Sequence, residues 1–220
     1  MRLWEKISAF ALCAALAHGA AGAVKTTGST PAAAPQGATA RYRLDASRST
    51  FTVRAFSGGV LWFKGHDHLV AARDFTGEAT LTPGSVNPAS LRLTVRAASL
   101  AETRDVFTEQ QKRIIDKELR EIVLEPDKYP EITFESTGVE AKAERGVFKV
   151  RLTGDLTLHG VTRRVTIPAD VTVAGDDLRA RGAFHIERSD FKVKATSAFH
   201  GTVRVRDKLK VMFDIVARRI

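Results

Sequence analysis

The sequence predicts an all-β protein, its antiparallel strands rolled into a barrel or stacked as a sandwich, with one inserted helix. Three observations predict it. Apolar and polar residues alternate with a period of two over at least eight segments. Only Asp105 to Leu124 carries a helical period, and no strand–helix–strand alternation is present.

The elements follow in order along the 220 residues. Arg2 and Lys6, the apolar run Ile7 to Leu16 and the small residues Ala21-Gly22-Ala23 have the layout of a secretory signal peptide over residues 1–23. The run is well short of the roughly 20 apolar residues that a spanning helix needs. Leu12 is too bulky for the small residue expected before a lipidated cysteine, which disfavours a lipoprotein anchor at Cys13. The expected location is therefore periplasmic or secreted, with no transmembrane segment in the mature chain. Cys13 is the only cysteine, so cleavage after Ala23 leaves none. Disulfides and thiol catalysis are then excluded. Residues 24–40, rich in Ala, Thr, Gly and Pro and without periodicity, read as a disordered linker. The folded domain is expected over 41–220.

Within it, Phe51, Val53 and Ala55 alternate with Thr52 and Arg54. The same pattern recurs at Phe75 to Leu81, Leu91 to Ala97, Ile132 to Ser136 and Phe148 to Leu158. It resumes at Val161 to Ile167, Leu178 to Ile186 and Leu209 to Ala217. Such runs are half-buried antiparallel strands with one apolar face. Gly58-Gly59, Pro83-Gly84, Asn87-Pro88, His159-Gly160 and Gly175-Asp176-Asp177 supply turns. In the helical segment Phe107, Gln111, Ile114, Ile115, Glu118, Leu119 and Ile122 trace a mostly apolar stripe, which Pro126 and Pro130 end. A sandwich needs the same alternation as a barrel, and pattern alone leaves both open.

Lys and Arg total 34 against 25 Asp and Glu, a net charge of +9, or +8 once the leader is removed. That balance favours anionic partners such as lipid head groups. Nucleic acid is not expected: the positive residues are spread along strands, and the leader directs the chain out of the cytoplasm. No enzyme motif stands out; there is no G-x-S-x-G elbow and no phosphate-binding glycine loop. His66 and His68 would share one side of an extended segment and could hold a metal or sit beside haem, with His159, His185 or His200 as a third ligand. Nothing in the sequence fixes that third ligand. Arg188 and Asp190, two apart, read as an ion pair. Trp62 and Phe63 would face opposite sides of a strand, and Phe63 is the expected lining residue.

Three motifs carry a resemblance to a known family: YPEITFES at Tyr129 to Ser136, GDLTLHGVTRRV at Gly154 to Val165, and FHIERSDF at Phe184 to Phe191. With YRLDASRSTFTVRA from Tyr42 and GHDHLVAARDFTGEATL from Gly65, they stand in order over about Arg41 to Arg218. Over that length the chain resembles the bacterial YceI-like proteins, lipocalin-like barrels associated with polyisoprenoid binding. Two positions depart from the family's pattern: Ile122-Val123-Leu124 replace an aromatic pair, and Lys192 stands where glycine is common. The resemblance implies an up-and-down antiparallel barrel of about eight strands. It implies a non-enzymatic carrier whose apolar interior holds an isoprenoid or similar amphipathic lipid, with no other cofactor. Phe51, Val53, Phe63, Leu91, Leu93, Phe134, Phe148, Val150, Leu156, Leu158, Phe184, Val211 and Phe213 would line that interior. Basic residues at the mouth would favour a pyrophosphate head. A metal- or haem-associated protein, a barrel filled by its own side chains, and pairing of edge strands into a homodimer remain as alternatives.

Overall fold

The computed structural model describes residues 38–61, 63, 65–198 and 202–220. The expected leader, Cys13, nearly all of the expected linker, Trp62 and His200 lie outside them. Twelve strands and one α-helix are formed among the described residues. They are β1 (Ala40–Leu44), β2 (Thr50–Gly58), β3 (His68–Ala72), β4 (Phe75–Leu81), β5 (Ala89–Arg96), β6 (Leu100–Glu102), α1 (Glu109–Glu118), β7 (Glu131–Glu144), β8 (Val147–Leu158), β9 (Val161–Ala174), β10 (Asp177–Glu187), β11 (Ser197–Ala198) and β12 (Val203–Arg219). Ala40 belongs to β1, opposite Leu81.

The hydrogen-bonded order β1-β4-β5-β7-β8-β9-β10-β12 returns to β1, which closes an antiparallel ring of eight strands. The ring is what separates a barrel from a sandwich. β12 makes it possible: one edge pairs with β10 from Lys208 to Arg218, and the other carries β2 and then β1. Toward the opposite end the first three barrel positions are broken strands. A 3-10 turn at Ala46–Arg48 separates β1 from β2, Arg73-Asp74 separates β3 from β4, and a 3-10 turn at Ala97–Ser99 separates β5 from β6. There β12 pairs with β2, β2 with β3 and β3 with β6. The edge of β6 meets α1, whose Asp116 Oδ1 accepts the Glu102 N–H at 3.0 Å.

The alternation read from the sequence sorts the faces. On β8, Val150, Leu156 and Leu158 are buried, as are Leu178 and Phe184 on β10. The outward faces carry opposite charges in register. Lys149 opposes Asp170, Asp155 opposes Arg164, and Arg181 opposes Asp214; each of these pairs is bonded. Such exposed pairs contribute roughly 0.2–1 kcal/mol each. Many of the basic residues on the barrel wall are therefore partnered, while the net positive charge remains. Two inward glycines make room for rings. A Cβ on Gly154 would lie 2.5 Å from the Phe134 ring, and one on Gly182 would lie 2.5 Å from the Phe213 ring.

The helix differs from its expected extent. Asp105 to Phe107 form a turn, Thr108 caps the helix in a reciprocal pair with Gln111, and Leu119–Leu124 continue as a π-helical turn. The Thr-x-x-Gln spacing is a capping-box signal that periodicity alone passes over. Only part of the expected stripe faces inward. Ile115, Leu119 and Val123 face the barrel interior, while Ile114 and Ile122 are exposed. The π turn and its tertiary contacts set this phase.

At the closed end, Tyr42 is fully buried and its hydroxyl has no hydrogen-bond partner among the described residues. A buried hydroxyl without a partner keeps its desolvation cost and gains nothing in return. Tyr42→Phe is therefore expected to leave stability unchanged or raise it by up to about 1 kcal/mol. In a calorimetric melt that is a rise in Tm of zero to about 4 °C for a domain of this size. A clear fall in Tm would show that the hydroxyl is bonded.

Candidate functional site

The barrel interior holds two apolar chambers. The outer one, about 160 Å³, lies under α1 and is walled by residues including Val53, Ile115, Leu119, Leu158 and Val211. The inner one, about 140 Å³, is walled by residues including Leu91, Leu93, Phe134, Val150 and Phe213. Phe51, Leu156 and Phe184 border both and form a neck between them. The inner wall is apolar apart from Thr80 and Ser90. The outer chamber acquires polar groups from His68, Glu118, Arg188, Lys194 and Thr196. Each chamber is close to the roughly 150 Å³ void that stays dry and admits benzene in a protein core.

Eleven of the thirteen expected lining residues border these chambers: Phe51, Val53, Leu91, Leu93, Phe134, Val150, Leu156, Leu158, Phe184, Val211 and Phe213. Two do not. Phe63 lies past the end of β2, in the β2–β3 connection, and is 63% exposed; no strand continues there to turn it inward. Phe148 is half-buried near the start of β8 and packs against the closed-end cluster, beyond the inner chamber. Sequence reasoning missed the contribution of α1 and the π turn, because their contact face is set by tertiary packing. It also missed Arg188 and Lys194, which come from a segment without periodicity.

The three motifs build the frame around the outer chamber. His159 adopts a positive φ of 52° at the β8–β9 turn and is buried. Its Nε2 lies 2.9 Å from Glu125 Oε2, and its ring packs 4.2 Å from that of Tyr129. A Cβ at Gly160 would stand 2.7 Å from the Tyr129 ring, so the His-Gly pair suits this corner. Glu125 ends the π turn at φ 44°, and hydrogen bonds from Lys128 and then His159 hold its carboxyl below the usual range. YPEITFES and GDLTLHGVTRRV thus meet to anchor the helix that roofs the chamber. His159 is a buried structural residue of that anchor.

The third motif forms a corner. Arg188–Phe191 is a 3-10 turn and not a strand, so the expected Arg188–Asp190 ion pair is replaced. Arg188 lies 3.7 Å from Asp207 and donates to the Val193 carbonyl at 2.8 Å; Ser189 donates its hydroxyl to Asp207. Lys192 follows at φ 58°, the left-handed region that glycine enters without strain.

The histidine pair is divided. His68 begins β3, places Nδ1 2.8 Å from Glu102 Oε2 and stacks on Phe107 at 5.2 Å. His66 is exposed and meets the same ring edge-on at 5.8 Å. His185 faces outward, and His159 is held by Glu125. Among the described residues no group of three or more His, Cys, Asp or Glu is arranged to hold a metal ion. Glu102 has a fully buried side chain, and its Oε1 accepts the N–H groups of Leu69, Thr103 and Arg104. Burial opposes its ionisation, but the bond with His68 and the backbone N–H groups outweigh it and hold the carboxyl below its ordinary value of 4.5. Among the described residues, no helix is long and apolar enough to cross a membrane.

Comparisons with known proteins place this architecture. Protein YceI of Escherichia coli O157:H7 is 39% identical over 106 residues, 48% of this chain and 49% of that protein. A UPF0312 protein of Vibrio campbellii is 32% identical over 125 residues, 54% of this chain and 61% of that one. The chain spans about half the length of the curated relatives it matches. Among solved structures, Burkholderia cenocepacia BcnA superposes with a TM-score of 0.61 at 21% identity, covering 79% of this chain and 98% of that one. A polyisoprenoid binding domain from Saccharophagus degradans gives 0.54 at 13% identity, covering 81% and 98%. A Campylobacter jejuni YceI protein gives 0.53 at 24% identity, covering 68% and 83%. At these identities the structures establish the shared lipocalin-like barrel. The family model for the YceI-like domain matches residues 42–217, nearly the whole of the ring described above, and the chain belongs to that family.

Proposed function

We propose that this protein is a non-enzymatic carrier that sequesters an isoprenoid or similar amphipathic lipid, exported through the leader at residues 1–23. One observation carries the reading: two adjoining chambers with almost wholly apolar walls, which acquire charged groups only in the outer one. An apolar chain removed from water gains roughly 25 cal/mol per Å², and a few polar groups suffice to orient its head. Arg188 and Lys194 would face an anionic head such as a pyrophosphate. The binding named for the Saccharophagus degradans domain supports the same ligand class. A barrel plugged by its own side chains fits less well, since it would leave no chambers of benzene size.

The test is native mass spectrometry of protein purified from its own host, with titration of a fluorescent prenyl pyrophosphate alongside. The expected result is a co-purifying species with five-carbon mass increments, and saturable binding that an unlabelled prenyl chain displaces. Persistent absence of lipid together with no saturable binding would overturn the carrier reading. Equal affinity for prenyl alcohol and prenyl pyrophosphate would remove the role of Arg188 and Lys194 while leaving the apolar chambers in place.

A further inference from the structure

We infer that the chamber end of the barrel docks on an anionic bilayer surface, so that lipid enters the outer chamber directly from the membrane. This rests on the carrier reading. Topology brings four segments to one end: the loop after Gly58 where β2 stops, the start of β3 at His68, the end of β6 at Glu102, and the Arg188–Thr196 corner. The outer chamber takes its polar lining from this end. The same end exposes apolar side chains that a water-soluble surface has no need of. Val60 is 81% exposed and Phe63 63%, both in the β2–β3 loop; Val106 is 49% exposed in the loop leading to α1. Ile114 projects outward from α1 next to Ile115, which lines the chamber.

Charge decides the occupant. Between Asp190 and Asp207, the latter bonded to Ser189 and facing Arg188, the sequence contains four cationic residues, Lys192, Lys194, Arg204 and Arg206, and no acidic one; all four are exposed. Thr202, two residues before Arg204, meets the apolar loop: its carbonyl accepts the Leu61 N–H at 3.1 Å. Apolar tips flanked by cations around the mouth of an apolar cavity match an anionic interface, where each basic residue near the surface strengthens attachment severalfold. A second copy of this chain would bring the same positive strip and is disfavoured by repulsion.

Co-sedimentation with vesicles tests the proposal, using pure phosphatidylcholine against a mixture with phosphatidylglycerol. The protein is expected to sediment with the anionic vesicles and to be released by high salt. Val60→Ser with Phe63→Ser should weaken the partition about tenfold or more. Lys192→Gly with Arg204→Gln should do likewise, and the glycine suits the left-handed backbone at 192. Both double variants should bind a short fluorescent prenyl ligand in vesicle-free solution as the parent does, which shows that they are folded. Equal sedimentation with both vesicle types overturns the proposal, as does unchanged sedimentation of either double variant. Dissociation of a dimer by Val60→Ser with Phe63→Ser would instead assign the rim to self-association. Loss of prenyl binding by the parent itself, with vesicle docking intact, would overturn the carrier reading and not the docking.

Discussion

Replacing Glu102 with alanine should destabilise the protein by about 3 kcal/mol, because at least two part-buried N–H groups lose their acceptor. The side chain is wholly buried. Its Oε1 serves Leu69, Thr103 and Arg104, and its Oε2 serves His68. Thr103 N–H retains a second acceptor, the Leu69 carbonyl at 3.0 Å, so the loss falls mainly on those of Leu69 and Arg104. Glu102→Gln should cost less, since its amide oxygen can still accept two of the backbone bonds. Chemical denaturation of the two variants beside the parent checks the order, and equal stability of parent and Glu102→Ala would refute it. The same site predicts an acid limb. A carboxyl held below its unfolded value contributes stability that is complete above that value and is lost as pH falls through the lowered one. Stability of the parent should therefore decline below about pH 4.5, the ordinary value for this group. Glu102→Ala should show a shallower decline in that window. Because β6 is hydrogen-bonded to α1 through Asp116, the loss should also loosen the roof of the outer chamber. Faster hydrogen exchange in α1 would report it.

Leu156→Phe should separate the two chambers. Leu156 borders both, together with Phe51 and Phe184, and it pairs across the sheet with Phe134. A larger ring at this neck closes the way to the inner chamber at a cost of about 1–3 kcal/mol in stability from overpacking. A void of this size admits about six carbons. At about 0.8 kcal/mol for each methylene buried, excluding them removes up to about 5 kcal/mol of binding to a long chain. That corresponds to as much as several thousandfold in affinity. A chain short enough for the outer chamber alone should keep the parent's affinity. The measurement is a titration series over prenyl chains of increasing length. In the parent, affinity should climb until both chambers are filled. In the variant it should level off early. If both proteins show the same length dependence, the neck does not gate the inner chamber.

How much of this was legible beforehand varies by element. Strand faces were legible because alternation is a local property: Phe51, Leu156, Phe184 and Phe213 point inward as their phase requires. The rule failed at Phe63, where no strand persists, and at Phe148, which keeps its phase but lies too near the closed end to reach a chamber. On the helix, Ile115, Glu118 and Leu119 of the expected stripe line the chamber, whereas Ile114 and Ile122 are exposed and Val123 lines it instead. The π turn that carries Val123 and the hydrogen bond from Glu102 to Asp116 are features that no periodicity encodes. The histidines show the same division. Their positions were plain, but the partner of His68 lies 34 residues away in Glu102, and that of His159 lies 34 residues away in Glu125.

By itself the sequence determined an antiparallel β domain with apolar inner faces, one inserted helix, an excess of positive charge and the family to which it belongs. These follow from period, composition and short motifs, all properties of neighbouring residues. Only the tertiary structure decided that β12 closes a ring of eight strands, that the interior divides at Phe51, Leu156 and Phe184, and that Arg188 and Lys194 line the outer chamber. Ring closure depends on pairing across more than a hundred residues, and a cavity is the space that packing leaves unfilled. Neither quantity is written in any one stretch of chain.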